Sequence, residues 1–262
     1  MTAITNMMKQ IEDGNYTYVA KRLINKIFPV PNPIFYWDSF VMMKGMFKEK
    51  EVKSKKFTVE IIGPREQKGN MYFNELLDQF REHDYNHQRM GKGTCIIVKA
   101  ENGMIASYAW MNFKKNSNFK DYSGNSEKML FLSMNRVYLP TGSHFTSNSG
   151  YRVYFDEPVN AWGYGFYVRP KYRLSSAFML LTQAMRNLCM EVGCDMIYGE
   201  TNMENQASQK SFGNLGKKVY EKVYFVSLFK AKVYITKSDD KRLRFQFRWT
   251  NDTHQISYIP NV

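Results

Sequence analysis

The sequence predicts an α/β (α+β) protein whose mixed central sheet is flanked by helices. From residue 55 onwards, β-rich runs of alternating hydrophobicity are interleaved with segments of helical period. The pair Asn102-Gly103 lies between two β-rich runs and is typical of a tight hairpin, which requires antiparallel neighbours. A strand, a helix and a second strand follow one another at 160–201, an order that favours parallel pairing through a right-handed crossover. These features together indicate a sheet with both kinds of pairing.

The composition supports a packed core and a basic surface. Of the 262 residues, 44% are hydrophobic and 16% aromatic, and the formal net charge is +13. Such a surface attracts nucleic acid, acidic lipid headgroups, a nucleotide-like cofactor or an acidic carrier protein, without choosing among them. The three cysteines lack metal-ligand spacing, and the N-terminus carries acids early and no apolar run. No stretch is long enough to cross a bilayer, so we expect a cytoplasmic protein with at most peripheral membrane contact.

Residues 1–54 are expected to form an N-terminal extension packed on the core. Within it, "YVAKRLINKIF" places Val19, Leu23, Ile24 and Ile27 on one helical face. The apolar runs that follow the proline-rich "PVPNP" predict a hairpin, or a strand packed on a neighbour.

The next elements follow from their periodicity. "KKFTVEIIG" alternates as a strand does, and the apolar residues of 70–83 share one face of a helix. The two runs around Asn102-Gly103, within 94–113, form the hairpin. Residues 114–160 are interpreted as an insertion into a core domain that spans 55–236.

The second half of that domain alternates strands and helices. Strands are predicted near 160–168 and 195–201, with a helix at 176–192 that begins at a serine cap and ends at Gly193. A short helix and one or two strands follow. Residues 237–262 are expected to add a C-terminal β-hairpin extension.

The stretch "WGYGFYVRPKYRLSSAF" (162–178) combines a strand, a turn opened by Pro170 and a helix start. Such strand–turn–helix junctions often hold a phosphate, because the first N–H groups of the helix point at the anion. They are usually rich in glycine, whereas this one carries Leu174, Ser175 and Ser176. The junction is therefore a candidate phosphate cradle without the expected glycines.

Two motifs resemble those of the GNAT (general N-acetyltransferase) superfamily. Val168, Pro170 and Arg173 match its Val-x-Pro-x-x-Arg strand end. A second set, at the family's later Asn-x-x-Ala/Ser, aromatic and Leu-Gly positions, comprises Asn205, Ser208, Phe212, Leu215 and Gly216. Each half-motif is weak alone, and their combination over 162–223 is moderately specific. The N-terminal region also resembles GNAT proteins of cell-surface and lipid biosynthesis.

This resemblance implies a GNAT-like domain at 55–236 that acts as an N-acyltransferase. The acyl group would move from an acyl thioester, acyl-CoA or acyl carrier protein, to a primary amine on a small molecule or amino acid. No metal is implied. The acceptor would lie against the helix at 70–88 and the insertion at 114–160.

The resemblance also implies which residues bind the donor. A backbone N–H near Tyr167 or Val168 would polarise the thioester carbonyl, and the turn would hold the phosphates. The turn residues are Arg173, Leu174, Ser175, Ser176 and Ala177. Asn205 and Ser208 would order the edge of the acyl channel.

Two positions depart from the family pattern. Phe178 is bulky where the family has a small residue beside the pyrophosphate, and Phe212 stands where the family often has a tyrosine that protonates the leaving thiolate. A shifted CoA would accommodate Phe178. So would a carrier-protein donor, which presents only acyl-phosphopantetheine, in an arrangement that resembles GNAT-like N-acyl amino acid synthases.

Acid–base groups are candidates by position, because amine acylation needs a base for the amine and a donor for the thioester oxygen. The base candidates are Asp156, Glu157 and Glu200, of which Glu200 ends a strand beside the presumed channel. Tyrosines that would replace the missing acid are Tyr164, Tyr220 and Tyr224. We expect Glu200, Tyr220 and Glu157 to be the catalytic residues.

Other functions have weaker signals. The Phe178 and Phe212 departures suit a GNAT-shaped binding or regulatory protein without catalysis. In "RLRFQFRW" Leu243, Phe245, Phe247 and Trp249 alternate with Arg242, Arg244 and Arg248, a pattern that nucleic-acid binders use but that is more typical of a half-buried edge strand. His83 and His87 lie one helical turn apart without a third ligand, so we expect no metal site.

Overall fold

The computed structural model describes residues 35–50, 52–79, 92–116, 136–147, 150–229, 231–238 and 243–249. The predicted helix within 1–34, the histidines 83 and 87, residues 117–135 and 148–149 of the insertion and the C-terminal residues 250–262 lie outside these ranges. The N-terminal helix, the histidine pair and the last hairpin arm therefore stay predictions.

The described residues form twelve strands and three α-helices. The strands are β1 (Phe35–Lys44), β2 (Phe57–Ile62), β3 (Thr94–Ala100), β4 (Ile105–Asn116), β5 (Thr141–Gly142), β6 (His144–Thr146), β7 (Arg152–Tyr154), β8 (Val159–Val168), β9 (Met196–Asn202), β10 (Lys218–Leu228), β11 (Ala231–Ser238) and β12 (Leu243–Trp249). The helices are α1 (Met71–Gln79), α2 (Ala177–Glu191) and α3 (Gln206–Asn214), and a 3₁₀ turn spans Pro170–Tyr172.

One large mixed sheet organises the fold. Its order is β12-β11-β10-β1-β9-β8-β4-β3-β2, with β5 paired to β4, while β6 and β7 form a separate two-stranded sheet. The pairs β8–β9 and β4–β5 are parallel, and the other pairs of the large sheet are antiparallel. The predicted α/β class with a mixed sheet flanked by helices is confirmed.

The hairpin at Asn102-Gly103 joins β3 to β4 as predicted. Gly103 has φ +78°, a conformation that glycine adopts without the strain a side chain would bring. The two strands pair from Thr94 opposite Met111 to Lys99 opposite Ile105. They bury an almost continuous run of apolar residues because both of their faces are covered.

Strand β1 lies inside the sheet, between β9 and β10. The two apolar runs after "PVPNP" thus belong to one continuous strand, the second of the two alternatives that the sequence left open. Val41 and Met42 face opposite sides of the sheet, and both are almost fully buried, so both sides of β1 are covered. The region assigned to an N-terminal extension therefore contributes a central strand of the sheet.

The parallel pairing of β8 with β9 confirms the prediction for 160–168 and 195–201. Helix α2 connects the two strands and covers one face of the sheet with Leu181, Met185 and Leu188, which are fully buried. Gly193 ends the helix with φ +67°. We call the side of the sheet that carries α2 and α3 the helix face.

The opposite face is covered by α1 and by the β6–β7 hairpin. Phe73 of α1 packs edge-on against Trp110 of β4, with ring centroids 5.7 Å apart. Phe145 of β6 contacts Trp162 of β8 at 5.9 Å. The described part of the insertion therefore supplies a second covering layer. We call the side of the sheet that it covers the hairpin face.

Strand β12 extends the large sheet beyond β11, so part of the predicted C-terminal extension continues the core sheet. Its alternation and its place at an edge of the described sheet agree with the prediction, but the aromatic side is the exposed one. Phe247 is 65% exposed, whereas Arg248 donates to Gly150 O and Gln246 Nε2 donates to Arg152 O at 3.0 Å. The polar side is turned inward because β6–β7 offers it backbone acceptors.

Candidate functional site

The strands β8 and β9 pair for only a short distance. Their register runs from Asn160 opposite Met196 to Trp162 opposite Tyr198. Beyond this point β8 continues beside β4 and β9 continues beside β1, so the two strands part. Backbone groups of β8 that point toward β9 past Trp162 therefore line an opening in the sheet.

A β-bulge re-aims strand β8 at this opening. Tyr167 pairs with Tyr108, while Tyr164 pairs with Trp110, so Ala109 alone faces the two residues between them. Gly165 is one of those two and has φ +61°, which favours glycine at a bulge. The extra residue places Phe166 in the hydrophobic cluster of the helix face.

The opening holds a small cavity of about 20 Å³, which has room for about one water molecule and opens to solvent. Its lining residues are Met43, Gly163, Phe166, Tyr198, Gly199, Glu200, Phe212 and Lys217. Side chains alternate along β9, so Tyr198 and Glu200 belong to the hairpin face. Phe166, Phe212 and Lys217 belong to the helix face. The cavity thus connects the two faces of the sheet.

The predicted catalytic residues come together around Tyr198. The Tyr198 hydroxyl donates to Glu157 Oε2 at 2.9 Å. Its ring lies edge-on to that of Tyr220, with centroids 6.1 Å apart. Glu200 lies two residues further along β9 on the same face. The sequence therefore identified three members of one cluster without identifying Tyr198 at its centre.

These tyrosines stay protonated at neutral pH. Burial, followed by the hydrogen bond to Glu157, raises the pKa of Tyr198. Burial, followed by the charge of Glu221, raises the pKa of Tyr220, whose hydroxyl has no hydrogen-bond partner among the described residues. Beside them, Tyr151 donates to Glu221 Oε2 at 2.9 Å. The hairpin face of the cavity thus combines protonated hydroxyls with carboxylates.

Lys217 is the functional candidate that sequence reasoning missed. Its side chain is only 6% exposed, and its Nζ donates to Ile197 O at 2.5 Å. Burial lowers the pKa of Lys217 to about 7, against the opposing influence of Cys189 and Cys194. A Lys-Lys pair in a turn is typical of solvent-exposed positions, so no sequence signal separates Lys217 from its exposed neighbour Lys218.

Close backbone packing places Lys217. Gly216 has φ +102°, and a Cβ there would come within 2.9 Å of Met46 O. Lys48 N donates to Leu215 O at 2.7 Å, which fixes this loop beside the segment after β1. The Lys217 Nζ also lies 4.8 Å from the ring centre of Phe47. The lysine is therefore held inside the sheet layer by backbone contacts on both sides.

The turn before α2 has the features of an anion site. Ser175 Oγ donates to Tyr172 O at 2.7 Å and accepts from Ala177 N at 3.2 Å, so Ser175 rather than Ser176 caps the helix. The N–H groups of the first turn of α2 have no intrahelical acceptor, as in any helix. Arg173 and Leu174 are exposed, and the first turn carries no acid. Ala177 is buried.

Phe178 points away from this turn. Its ring lies 5.8 Å from that of Phe212, which in turn lies 4.8 Å from that of Phe166. The ring packs between α2 and α3, and its expected place beside a bound pyrophosphate stays a prediction. This aromatic trio joins the first turn of α2 to the cavity.

The remaining donor-site candidates have structural partners. Asn205 Oδ1 accepts from Ser208 N at 3.0 Å, which caps α3. Tyr167 stacks on Tyr108 at 5.5 Å, and Val168 is paired with Ser107.

Of the acid–base candidates that the sequence offered, Glu200 lines the cavity, Glu157 and Tyr220 contact Tyr198 behind the lining, and the others lie elsewhere. Tyr164 donates to Asn112 Oδ1 at 3.0 Å, Tyr224 is 38% exposed on β10, and Asp156 is exposed.

Within the described ranges, no group of three metal-binding side chains occurs. In the same ranges no helix is long and apolar enough to span a membrane.

No family model and no curated protein matches this chain. Several solved structures are similar to it. A Drosophila protein from a structural genomics consortium is 10% identical over 82% of this chain, with a TM-score of 0.38, and this chain spans 57% of its length. A putative GNAT-family acetyltransferase from Novosphingobium aromaticivorans is 11% identical, with a TM-score of 0.43, over 76% of this chain and 68% of that chain.

A third match is the aminoglycoside N-acetyltransferase AAC(6')-Iy in complex with CoA. It is 16% identical, with a TM-score of 0.39, over 63% of this chain and 90% of that chain. The second and third of these similar proteins are described as acetyltransferases, and the likeness is one of low identity.

Proposed function

We propose that this protein is a GNAT-type N-acyltransferase that moves an acyl group from an acyl thioester to a primary amine. The observation that carries the proposal is the parting of β8 and β9, which opens a cavity between the two faces of the sheet. A turn suited to anions lies near one end of this cavity, and a Tyr–Glu cluster lies at the other. Thioester and amine would meet inside it from opposite faces.

The donor would enter from the helix face. Its phosphate would bind the N–H groups at the start of α2, where the helix dipole favours negative charge. Arg169, Lys171 and Arg173 supply three cationic side chains in the same segment. Because Phe178 at the second position of α2 contacts Phe212 of the cavity lining, the acyl–pantetheine arm would follow this aromatic path into the opening.

The acceptor would enter from the hairpin face. A primary amine is mostly protonated at neutral pH and must lose a proton before it attacks. Glu200 lines the cavity and is our candidate for taking that proton. Glu157 would act through Tyr198, whose hydroxyl it holds at 2.9 Å. Attack of the amine on the thioester carbon gives a tetrahedral oxyanion, which backbone N–H groups of β8 near the bulge would stabilise, and the positively charged nitrogen would release a second proton to water.

Collapse of this intermediate breaks the carbon–sulfur bond and releases a thiolate, which takes up a proton. Phe212 has none to give. Lys217 is the only side chain with an ionisable proton on the helix-face part of the cavity lining. Its ammonium, with a pKa of about 7, is an effective acid toward a thiolate whose conjugate acid has a pKa of about 8.5. Lys217 would therefore protonate the leaving group.

Free acyl-CoA is the donor we favour. The orientation of Phe178 removes the steric reason for excluding an adenosine diphosphate group from the turn. An acyl carrier protein stays the alternative donor, since an acidic carrier would be drawn to a protein of net charge +13.

The test is a thiol-release assay with acyl-CoAs of increasing chain length and acyl carrier proteins, against a panel of primary amines. We expect release that depends on the amine and is lost in the Glu200→Gln variant. Turnover only with carrier protein would reverse the donor assignment. The absence of both CoA binding and turnover with every donor would leave the non-catalytic alternative.

A further inference from the structure

Among the described residues, no element covers the helix face of the sheet where strands β10, β11 and β12 extend beyond α3. Side chains of these strands and of the β10–β11 turn are exposed by 36 to 68% although they are large and apolar. We call them the outer apolar face: Tyr224, Val226, Leu228, Phe229, Val233, Ile235, Leu243, Phe245, Phe247 and Trp249.

The strand register arranges this face in regular rows. Tyr224 is paired with Ile235, which is paired with Phe245. The next row runs from Val226 through Val233 to Phe247 in the same way. Apolar side chains therefore lie side by side across three adjacent strands and form a regular surface.

The exposed area is larger than a monomer ordinarily leaves open. Aromatic side chains present roughly 150–250 Å² each, so the exposed fractions of these ten side chains amount to about 1,000 Å². The largest apolar patch on a typical monomer is roughly 300–600 Å². About 800 Å² per partner is the size of a standard stable interface.

Among the described residues of these strands, the charged side chains on this side of the sheet lie at one end of the outer apolar face. Lys222 and Lys237 are paired neighbours and form, with Leu243, the last row of the exposed side. The polar side chains of β12 point the other way, where Gln246 and Arg248 bond the β6–β7 hairpin. An anionic membrane would be recognised by a broader rim of cations than this pair provides.

We propose that the outer apolar face binds a second copy of this chain. The two sheets pack face to face across a two-fold axis, so that each copy contributes the same surface. Packed sheets lie about 10 Å apart, a distance that aromatic and branched side chains in rows fill by interdigitation. The exposed apolar area matches what a stable dimer needs, and the row that contains Lys222 and Lys237 lies outside the centre of the interface.

The salt dependence of assembly distinguishes this dimer from a charge-driven complex. Two protomers of net charge +13 repel one another, and salt screens that repulsion. The affinity of the dimer should therefore stay the same or increase when NaCl is raised from about 0.05 to 0.5 M. Over this range the Debye length falls from above ~10 Å to a few ångströms. Binding to an anionic surface weakens over the same range.

The experiment is sedimentation equilibrium of the full chain at both salt concentrations. Wild type is expected to be dimeric at micromolar concentration, and Phe247→Asp to weaken the dimer at least ~30-fold because it puts a charge at the centre of the interface. Met71→Asp is the matched control, since Met71 is 69% exposed but lies on α1, away from this face. It should leave the dimer unchanged.

A second measurement does not depend on the stability of the Asp variant. The three native cysteines are buried, so Phe245→Cys offers one accessible thiol for a short bifunctional maleimide. We expect a covalent dimer, which should fail to form from Tyr154→Cys, an exposed position outside the face. A monomeric wild type, or binding of monomer to vesicles of anionic phospholipid that Phe247→Asp abolishes, would overturn the proposal.

Discussion

The hydroxyl of Tyr198 donates to Glu157 Oε2 at 2.9 Å, at the point where β9 parts from β8. Tyr198 lines the cavity and Glu157 does not, so Glu157 contacts the cavity only through the phenol, whose hydroxyl proton is directed at the carboxylate. Under the proposed function this pair is a candidate acid–base unit of the hairpin face, next to Tyr220.

Replacing Tyr198 with Phe should lower kcat about 10²-fold, since a positioned acid–base group contributes at least that much. The KM for the acyl donor should stay unchanged, because the donor approaches from the helix face. The measurement is steady-state kinetics of thiol release. Tyr138→Phe, at a position 60% exposed, is the control. A normal kcat in Tyr198→Phe would remove the pair from the chemistry.

Replacing Arg173 with Ala should weaken donor binding by roughly 1–3 kcal/mol, the range for a charge-assisted hydrogen bond to phosphate. The loss should be larger at low salt, because screening weakens the wild-type interaction. Isothermal titration with CoA at two salt concentrations measures both. Arg186→Ala, on the helix α2 that follows this turn, is the control, because Arg186 is paired with Glu49 at 3.0 Å. Equal affinities of wild type and Arg173→Ala would exclude Arg173 from the site.

Replacing Phe178 with Ala should destabilise the fold without changing donor preference. The ring packs on Phe212, so its loss costs about 1–3 kcal/mol for a partly buried aromatic. Thermal unfolding measures the loss, and the ratio of turnover with matched acyl-CoA and acyl carrier donors measures preference. A shift of this ratio toward CoA in Phe178→Ala would restore the original view that Phe178 obstructs the pyrophosphate.

Local and adjacent features could be predicted from the sequence. Asn102-Gly103, the strand pair at 160–168 and 195–201, and the Asn205 cap depend on short-range patterns. The insertion of β1 between β9 and β10 could not be predicted, because strand pairing across more than 150 residues leaves no periodic trace. Alternation in 243–249 showed two faces, but which face turns inward depends on the backbone acceptors of β6–β7.

The same limit applies to the site. Glu157, Glu200 and Tyr220 could be named as candidates because carboxylates and phenols near strand ends suit proton transfer, and their catalytic roles stay predictions. Tyr198 and Lys217 could not be named as candidates because burial decides their pKa, and burial depends on the whole sheet.

Lys217 should make stability depend on pH in a definite direction. Its pKa of about 7 in the folded protein lies below the ordinary value of 10.5, so between these values the unfolded chain binds more protons. The unfolding free energy of wild type should therefore rise with pH from about 7 toward 10.5, relative to Lys217→Met. Denaturant unfolding at pH 7 to 9.5 measures this difference. Lys218→Met, altered at the exposed neighbour, should follow wild type.

Catalysis should depend on the same proton in the opposite direction. If the Lys217 ammonium protonates the leaving thiolate, kcat for amine acylation should fall as pH rises above about 7, because the fraction of protonated Lys217 falls. This descending limb should be absent in Lys217→Met, whose kcat should be about 10²-fold lower at pH 7. A donor with a more acidic thiol needs less protonation, so an activated aryl thioester should recover most of the lost rate in Lys217→Met. Equal losses with the natural and the activated thioester would assign Lys217 a purely structural role, while the stability difference between pH 7 and 9.5 would persist.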